Sequence, residues 1–392
     1  MHRAGAMPRK LRLGMIGGGP GSLIGPVHRI AARLDGHFDL VSGAFSSDAA
    51  RSQATGRDAF LDPARVYGDW RMMIEAEARR SDSRLDAIAI VTPNHLHYAQ
   101  AKACLEAGFH VICDKPLATR VEDAEALAVL AHRTGLIFGL THNYSAYPMI
   151  RRARAMVSAG ELGPIRLIQV EYAQGWMSGP VETQGNRQAE WRVDPVRQGP
   201  GGALGDIGTH GYHLACFVAG GRAASLLADL AKFGAGRTLD DNAHILLKYE
   251  SGARGMLWAS QVAVGEINGL RLRIFGERAS LSWWQERPNQ LNFTVAGEPV
   301  RRLERGEAGE ARHYASRLPA GHPEGFLEAF AQLYADLAEQ IAARIEGRAA
   351  DPLSMLVPTV DDGCEGVRFV HAAVESDRRG GVWLSRPDWP LR

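Results

Sequence analysis

A short apolar run, Leu11–Ile16, ends in a cluster of five glycines, Gly17, Gly18, Gly19, Gly21 and Gly25, and a helical pattern starts at once near Pro26 or Val27. A strand that stops on glycines and turns directly into a helix is the opening of a βαβ unit. Glycine lets the chain turn tightly there and lets backbone N–H groups at a helix N-terminus approach a pyrophosphate. The first third of the chain continues in the same style. Strand-like runs at Phe38–Phe45, Arg65–Tyr67, Ala87–Val91, His110–Cys113 and Ile137–Thr141 alternate with helical patterns at Val27–Leu34, Ala49–Gly56, Trp70–Arg79, His97–Ala107 and Val121–His132. Six strands alternating with helices predict an α/β domain built on a doubly wound parallel sheet, the Rossmann arrangement that binds a dinucleotide.

The pattern changes after Tyr147-Pro148. One helix, Met149–Ser158, is followed by longer alternating strands: Arg166–Tyr172, Ala243–Glu250, Arg254–Val262, Leu270–Phe275 and Ser280–Trp284. Gly-containing turns such as Ser251-Gly252 and Gly276-Glu277 join them, which predicts a large, mainly antiparallel sheet. The 392 residues therefore read as two domains, a Rossmann domain over 1–148 and an α+β domain over 149–392. In the second, Gly179–Gly202 reads as a long loop beside the site, Arg301–Leu318 as a polar loop, and Gly325–Ile345 as an amphipathic helix. Trp283 and Trp284 are adjacent on a strand and point to opposite faces.

Charge narrows the partners. The 45 basic and 44 acidic residues are well mixed and leave a net charge of +1, which argues against nucleic acid or an anionic membrane surface. No apolar run approaches the ~20 residues that span a bilayer. Cys104, Cys113, Cys216 and Cys364 form no CxxC pair, Cys113 and Cys216 sit in apolar surroundings and read as small buried hydrophobes, and a reducing setting fits best. The basic stretch Met1–Lys10 runs into the first strand with no apolar leader region. We expect a loose arm before Leu11, no signal peptide, and a cytoplasmic protein.

Doubly wound sheets bind ligands at the C-terminal ends of their strands. Gly17, Gly19, Gly21 and Gly25 are the expected pyrophosphate contacts, although Gly25 stands three residues later than a regular GxGxxG would place it. Ser46 and Ser47 follow the second strand, with Asp48 slightly late and Arg51 beyond. No arginine sits directly at the strand end, which favours NAD without excluding NADP. Thr92, Asn94 and His97 follow another strand, where a turn and a helix cap are the competing roles. Lys115 closes the strand His110–Cys113. Asp206 and His210 are four residues apart and share one face of a helix, and histidine is the natural general base. His142, Asn143 and Tyr144, then Trp176, Arg187, Trp191 and Arg192, bring aromatic faces and polar groups that suit a polyol or an acidic sugar. Asp240-Asp241-Asn242 reads as a turn before a strand.

Several of these segments together resemble the Gfo/Idh/MocA family, which includes glucose-fructose oxidoreductase and inositol dehydrogenase. They are Gly17-x-Gly19 with Gly25-Pro26-Val27-His28, Thr92-Pro93-Asn94-His95-Leu96-His97, Cys113-Asp114-Lys115-Pro116-Leu117-Ala118, Gly205-Asp206-Ile207-Gly208-Thr209-His210, and Ile274 to Leu281. The likeness runs over residues 11 to 345 in order. It implies NAD(P)-dependent hydride transfer at a secondary hydroxyl of a sugar, glycoside or cyclitol. It makes His210 the general base, assisted by Lys115 and Asp206, with Asn94, His97 and Asp114 near the cofactor. The family usually has Glu where this chain has Asp114. The resemblance also implies chemistry without a metal, so Asp206, His210 and His213 are not read as ligands, and a homodimer or homotetramer formed through the C-terminal sheet. Two other readings share these residues. One is a redox-neutral glycoside hydrolase that oxidises a ring hydroxyl transiently and eliminates the aglycone. The other is a dinucleotide-binding sensor, which would have no need of a base.

Overall fold

The computed structural model describes residues 9–307 and 315–389. The expected arm therefore lies largely outside the described residues, as does part of the expected loop Arg301–Leu318. The described residues form two compact units, one of residues 9–118, 123–146 and 326–364, the other of residues 119–122, 147–307, 315–325 and 365–389.

The first unit opens as β1 (Leu11–Gly17), α1 (Ile24–Leu34), β2 (Phe38–Ala44), α2 (Ala49–Asp58), α3 (Trp70–Ala78), β3 (Ala87–Val91), α4 (His97–Glu106), β4 (His110–Cys113), α5 (Val121–Thr134) and β5 (Phe138–Leu140). The strands pair in parallel in the order β2-β1-β3-β4-β5. Every residue of β3 and β4 is buried, as expected of strands covered on both faces. The sheet has five strands, not the six expected. Arg65–Tyr67 fails as a strand because Pro63 has no N–H to donate and Asp62 caps a tight turn over Pro63–Arg65, leaving Val66 a single bridge to Gly43. From β1 the chain winds to β2 on one side, then crosses to β3 on the other. That reversal opens a crevice at the C-terminal end of β1, where the glycines lie.

The second unit contains α6 (Pro148–Ser158), β6 (Ile165–Ala173), the short α7 (Arg187–Arg192) and α8 (Pro195–Gln198), α9 (Thr209–Ala219), and strands β7 (Ala223–Ala231), β8 (Asn242–Tyr249), β9 (Arg254–Ser260), β10 (Gly269–Gly276), β11 (Ala279–Trp284), β12 (Gln290–Val295) and β13 (Arg301–Glu304). Together with β14 (Leu384–Ser385) they make a nine-stranded sheet, ordered β13-β12-β11-β10-β6-β9-β8-β7-β14. All its pairings are antiparallel except β6 with β9. Side chains alternate with period two. In β8, Ala243, Ile245 and Leu247 are buried while His244 and Leu246 are exposed. α9 packs on the buried face against β6, β9 and β10. Trp283 is buried, and Trp284 stands on the opposite face between Arg271 and Arg287.

Two long helices close the chain. α10 (Phe326–Glu346) returns to the first unit, where Leu337 lies over Gly139 and Tyr334 packs edge-on against Phe38 and His28. A boundary placed at residue 148 does not foresee that return. α11 (Val360–Arg378) then leads to β14.

His110 opens β4, the strand that ends just before Lys115, and its Nδ1 accepts the Ile137 N–H at 2.9 Å. Burial, aided by nearby Arg344, lowers this imidazole to about 4. In the unfolded chain it titrates near 6.5, so between those values the unfolded state holds more protons and stability falls as pH falls. We expect roughly 3 kcal/mol to be lost between about pH 6.5 and 4 through this group. Urea unfolding at pH 7, 5.5 and 4.5 should show the slope, and His110→Asn should flatten it.

Candidate active site

In the first unit the glycine loop is a preformed cradle. Gly17 holds a φ of +84°, which turns the chain sharply off β1. α1 starts at Ile24, earlier than the sequence suggested, so Gly25 lies in its first turn. A Cβ on Gly25 would overlap the backbone of Gly18. The late glycine therefore keeps the role of letting helix and loop touch, and the extra residues lengthen the loop between. Gly19 N–H donates to Phe45 O at 3.0 Å, Arg29 donates to Gly18 O at 2.7 Å, and Ser22 Oγ accepts the Gly25 N–H at 3.0 Å. Around Gly21 the space is open. A loop pinned at both ends, open in its middle and running into a helix N-terminus, fits a pyrophosphate.

The end of β2 presents half-buried Ser46 and exposed Ser47. Asp48 is engaged as the cap of α2, accepting the Arg51 N–H at 3.0 Å, and Arg51 reaches back to Pro20 O in the glycine loop at 2.7 Å. Past β3, Thr92 Oγ1 donates to Gln100 Oε1 at 2.7 Å and buried Asn94 opens a short turn. The two ring nitrogens of buried His97 meet Thr92 O at 2.8 Å and Pro116 O at 2.7 Å. His97 thus ties this loop to the segment carrying half-buried Lys115. Asp114 Oδ1 accepts the Lys115 N–H and the Thr141 hydroxyl, both at 2.8 Å. Past β5, His142, Asn143 and Tyr144 are all buried. Among the described residues the Asn143 Nδ2 group has no hydrogen-bond partner. A buried donor in that condition calls for an acceptor, and a bound ligand at the strand ends would supply one.

In the second unit, residues Leu204–Gly208 form one π-helical turn that runs into α9, and such turns concentrate at functional sites. Asp206 lies in this turn and His210 follows in α9; both are buried. Asp240 fixes where the helix begins. Its carboxylate accepts the Gly202 N–H at 2.7 Å and the Leu204 N–H at 2.8 Å, and its carbonyl accepts the Ala203 N–H at 2.8 Å. Burial pushes the Asp240 carboxyl up to about 6, against amide bonds that favour the ionised form. The residue expected to be a mere turn is a helix cap.

Asp206 Oδ2 accepts from Arg192 Nε at 2.7 Å and from Gln261 Nε2 at 2.9 Å. The Arg192 guanidinium covers Trp191 at 4.3 Å and lies 5.8 Å from the Trp176 ring. His210 lies 6.3 Å from Tyr172, ring centre to ring centre. Tyr172 and Gln174 both donate to Asn268 Oδ1, at 2.8 and 2.9 Å, and Trp176 Nε1 donates to Gln174 Oε1 at 2.9 Å. This unit therefore gathers Asp206, Arg192, Trp176 and Trp191, and leaves Arg187 exposed at the start of α7. His213 is buried and stacks on Phe217. Among the described residues no group of three or more His, Cys, Asp or Glu side chains is placed to hold a metal. Sequence reasoning missed Gln261, Tyr172, Gln174 and Asn268, which carry no motif of their own.

Two family models match the chain, one described as an oxidoreductase family with an NAD-binding Rossmann fold over residues 11–142, the other as a GFO/IDH/MocA C-terminal domain over residues 150–282. The chain is similar to an uncharacterised oxidoreductase of Bacillus subtilis (strain 168), at 37% identity over 96% of this chain and 97% of the relative. It is 28% identical to a levoglucosan dehydrogenase of Pseudarthrobacter phenanthrenivorans over 75% of this chain and 78% of that one. Crystal structures of an inositol dehydrogenase homologue from Azotobacter vinelandii share 41% identity and cover 97% of this chain and 98% of their own. The TM-score is 0.91 for the complex with NAD+ and 0.88 for the complex with NADH and myo-inositol.

Because a side chain on Gly25 would collide with Gly18 backbone rather than with a movable side chain, Gly25→Val should open the cradle. Titration calorimetry is expected to show NADH binding lost while circular dichroism stays that of the folded protein.

Proposed function

The chain belongs to the Gfo/Idh/MocA oxidoreductase family and carries its NAD-binding Rossmann domain, and from that premise we propose that it moves hydride between NAD and a secondary hydroxyl of a sugar, glycoside or cyclitol. The observation that carries the reading is the buried pair Asp206 and His210, four residues apart on a helical stretch whose start is capped by Asp240. The Azotobacter vinelandii homologue crystallised with NADH and myo-inositol, and the levoglucosan dehydrogenase, support the substrate class.

NAD, when bound, supplies the hydride acceptor that faces the substrate carbon. Gly17, Gly19, Gly21 and Gly25 would hold its pyrophosphate, with Ser46 and Ser47 on the ribose side and Thr92 and Asn94 toward the nicotinamide, while His97 fixes their loop from behind. His210 takes the proton of the reacting hydroxyl. The Lys115 ammonium balances the negative charge that develops on that oxygen, and Asp114 fixes the lysine backbone. Asp206 accepts a hydrogen bond from a ring hydroxyl and holds the ring in register. Asn143 Nδ2 and Tyr144 add polar contacts at the mouth, and Trp176 and Trp191 offer flat faces to ring CH groups.

We also place the protein in the cytoplasm, in keeping with cysteines spaced without a CxxC pair; no helix among the described residues is long and apolar enough to cross a membrane. The outer face of the nine-stranded sheet carries exposed Leu167, Leu246 and Met256, and a second copy of the chain is proposed to cover it. Light scattering of the purified protein should give a dimer or tetramer, and Leu246→Glu with Met256→Glu should give monomer.

Reduced-nicotinamide absorbance tests the activity itself, with NAD or NADP and a panel of pyranosides, glycosides and inositols. A steady rise with one ring is expected. Removing a general base costs about 10²- to 10⁴-fold, so His210→Ala should lose turnover on that scale and keep NAD affinity. Full activity in His210→Ala would remove this residue from the chemistry. Silent wells that release free aglycone would make the protein a redox-neutral glycosidase instead.

A further inference from the structure

Arg192 ends α7 in the loop that follows β6. Two of its three guanidinium nitrogens are engaged by protein. Nε donates to Asp206 Oδ2 at 2.7 Å, and Nη1 donates to Gln188 O at 2.9 Å and Gln188 Oε1 at 3.0 Å. The side chains of the Arg192–Asp206 pair are only 18% and 9% exposed. In such surroundings a charge pair is weakly screened, and loss of either partner leaves a buried charge uncompensated.

The pair is held in place from both sides. On the loop side, Arg237 donates to Glu182 Oε1 at 2.8 Å, to Gly179 O at 2.9 Å and to Asp241 Oδ2 at 3.1 Å. The Arg237 guanidinium holds the Glu182 carboxyl below the ordinary range. On the helix side, Asp240, the neighbour of Asp241, caps the turn that carries Asp206. Gln261, whose own N–H donates to Asp241 O at 2.9 Å, adds its side-chain bond to Asp206. One dipeptide, Asp240-Asp241, thus anchors the loop and the helix to each other.

We propose that Arg192 is a positioning and selectivity residue: it aims the Asp206 carboxylate and cancels its charge, so that the site takes an uncharged polyhydroxylated ring and rejects a ring bearing a carboxylate. This rests on the hydride-transfer reading above and names its substrate class. A substrate carboxylate seeking Arg192 would have to displace Asp206 from a 2.7 Å contact and would bring a second anion to a pair that is already balanced. A hydroxyl has no such conflict, because it can donate to Asp206 while the ring's CH face lies on Trp191 or Trp176. Arg187, the other arginine of α7, is exposed to solvent.

The test uses the full chain with saturating NAD and a matched pair of rings, methyl glucopyranoside and its uronic acid, beside myo-inositol. Binding is read from tryptophan emission, since Trp176 and Trp191 flank the arginine, and turnover from nicotinamide absorbance. The wild type should bind a neutral ring more tightly than the uronate. Misplacing a group at the reacting centre costs about 10²-fold, so Arg192→Gln should lose kcat on that scale, with weaker neutral-ring binding and unchanged NAD affinity. Arg192→Lys should recover part of both, and circular dichroism identifies any variant that fails to fold. Preference of the wild type for the uronate, lost in Arg192→Gln, would make Arg192 an anion anchor and overturn the proposal. So would an Arg192→Gln enzyme with wild-type kcat and selectivity, or the absence of binding by every neutral ring. Neutral-ring binding that weakens in Arg192→Gln, without turnover by any form, would overturn the hydride-transfer reading and leave this inference standing.

Discussion

The candidate residues of the second unit depend on one buried carboxylate. Asp240 receives the amides of Gly202 and Leu204 at the start of the helix that presents Asp206 and His210. Without it, two N–H groups would be buried unsatisfied, at a cost of about 1–3 kcal/mol each. The approach is so close that a Cβ on Gly202 would overlap the carbonyl of Asp240, which is why glycine stands at 202. The cap also makes the π turn tolerable. A π turn widens the helix, and a fixed N-terminal end keeps that extra residue from being relaxed away by a shift in register.

The first unit solves the same positioning problem with different parts. There the reactive candidates stand at strand ends, and strand ends are held by the sheet. What remains to be fixed is the loops. His97 joins the loops after β3 and β4, and Asp114 joins the segment after β4 to Thr141 after β5. Each clip is short in space but joins residues 19 to 27 positions apart.

That separation explains what could be read in the sequence and what could not. The parallel sheet, the glycine cradle and the change to antiparallel strands at residue 147 follow from local periodicity and turn chemistry, and these were legible. Trp283 and Trp284 were legible as a buried and an outward residue for the same reason. The false strand at Arg65–Tyr67 shows the limit of apolar patterning, since Val66 is buried without belonging to a strand of the sheet. The return of α10 to the first unit was not legible, because an amphipathic pattern shows that a face is buried and not against what. Gln261 reaches Asp206 across 55 positions, and nothing in the composition of either neighbourhood points to the other. Arg192 was visible as a candidate, but its engagement with Asp206 was not, and that engagement turns an apparent anion anchor into a neutralised one.

The two units also differ in what a substitution can change. In the first unit, the clips around Lys115 are made by the side chains of His97 and Asp114, so substituting either residue would loosen the segment that carries the lysine. In the second, the side chains proposed to meet the ring lie at the end of a loop held by Arg237 and Asp241. Substituting Arg192 or Trp191 would change charge and shape at the ring while the Asp240 cap still fixes the helix. On the proposed reading Arg192 couples selectivity to chemistry: the ion pair that neutralises Asp206 also aims it, while the Asp240 cap holds the helical turn that carries it.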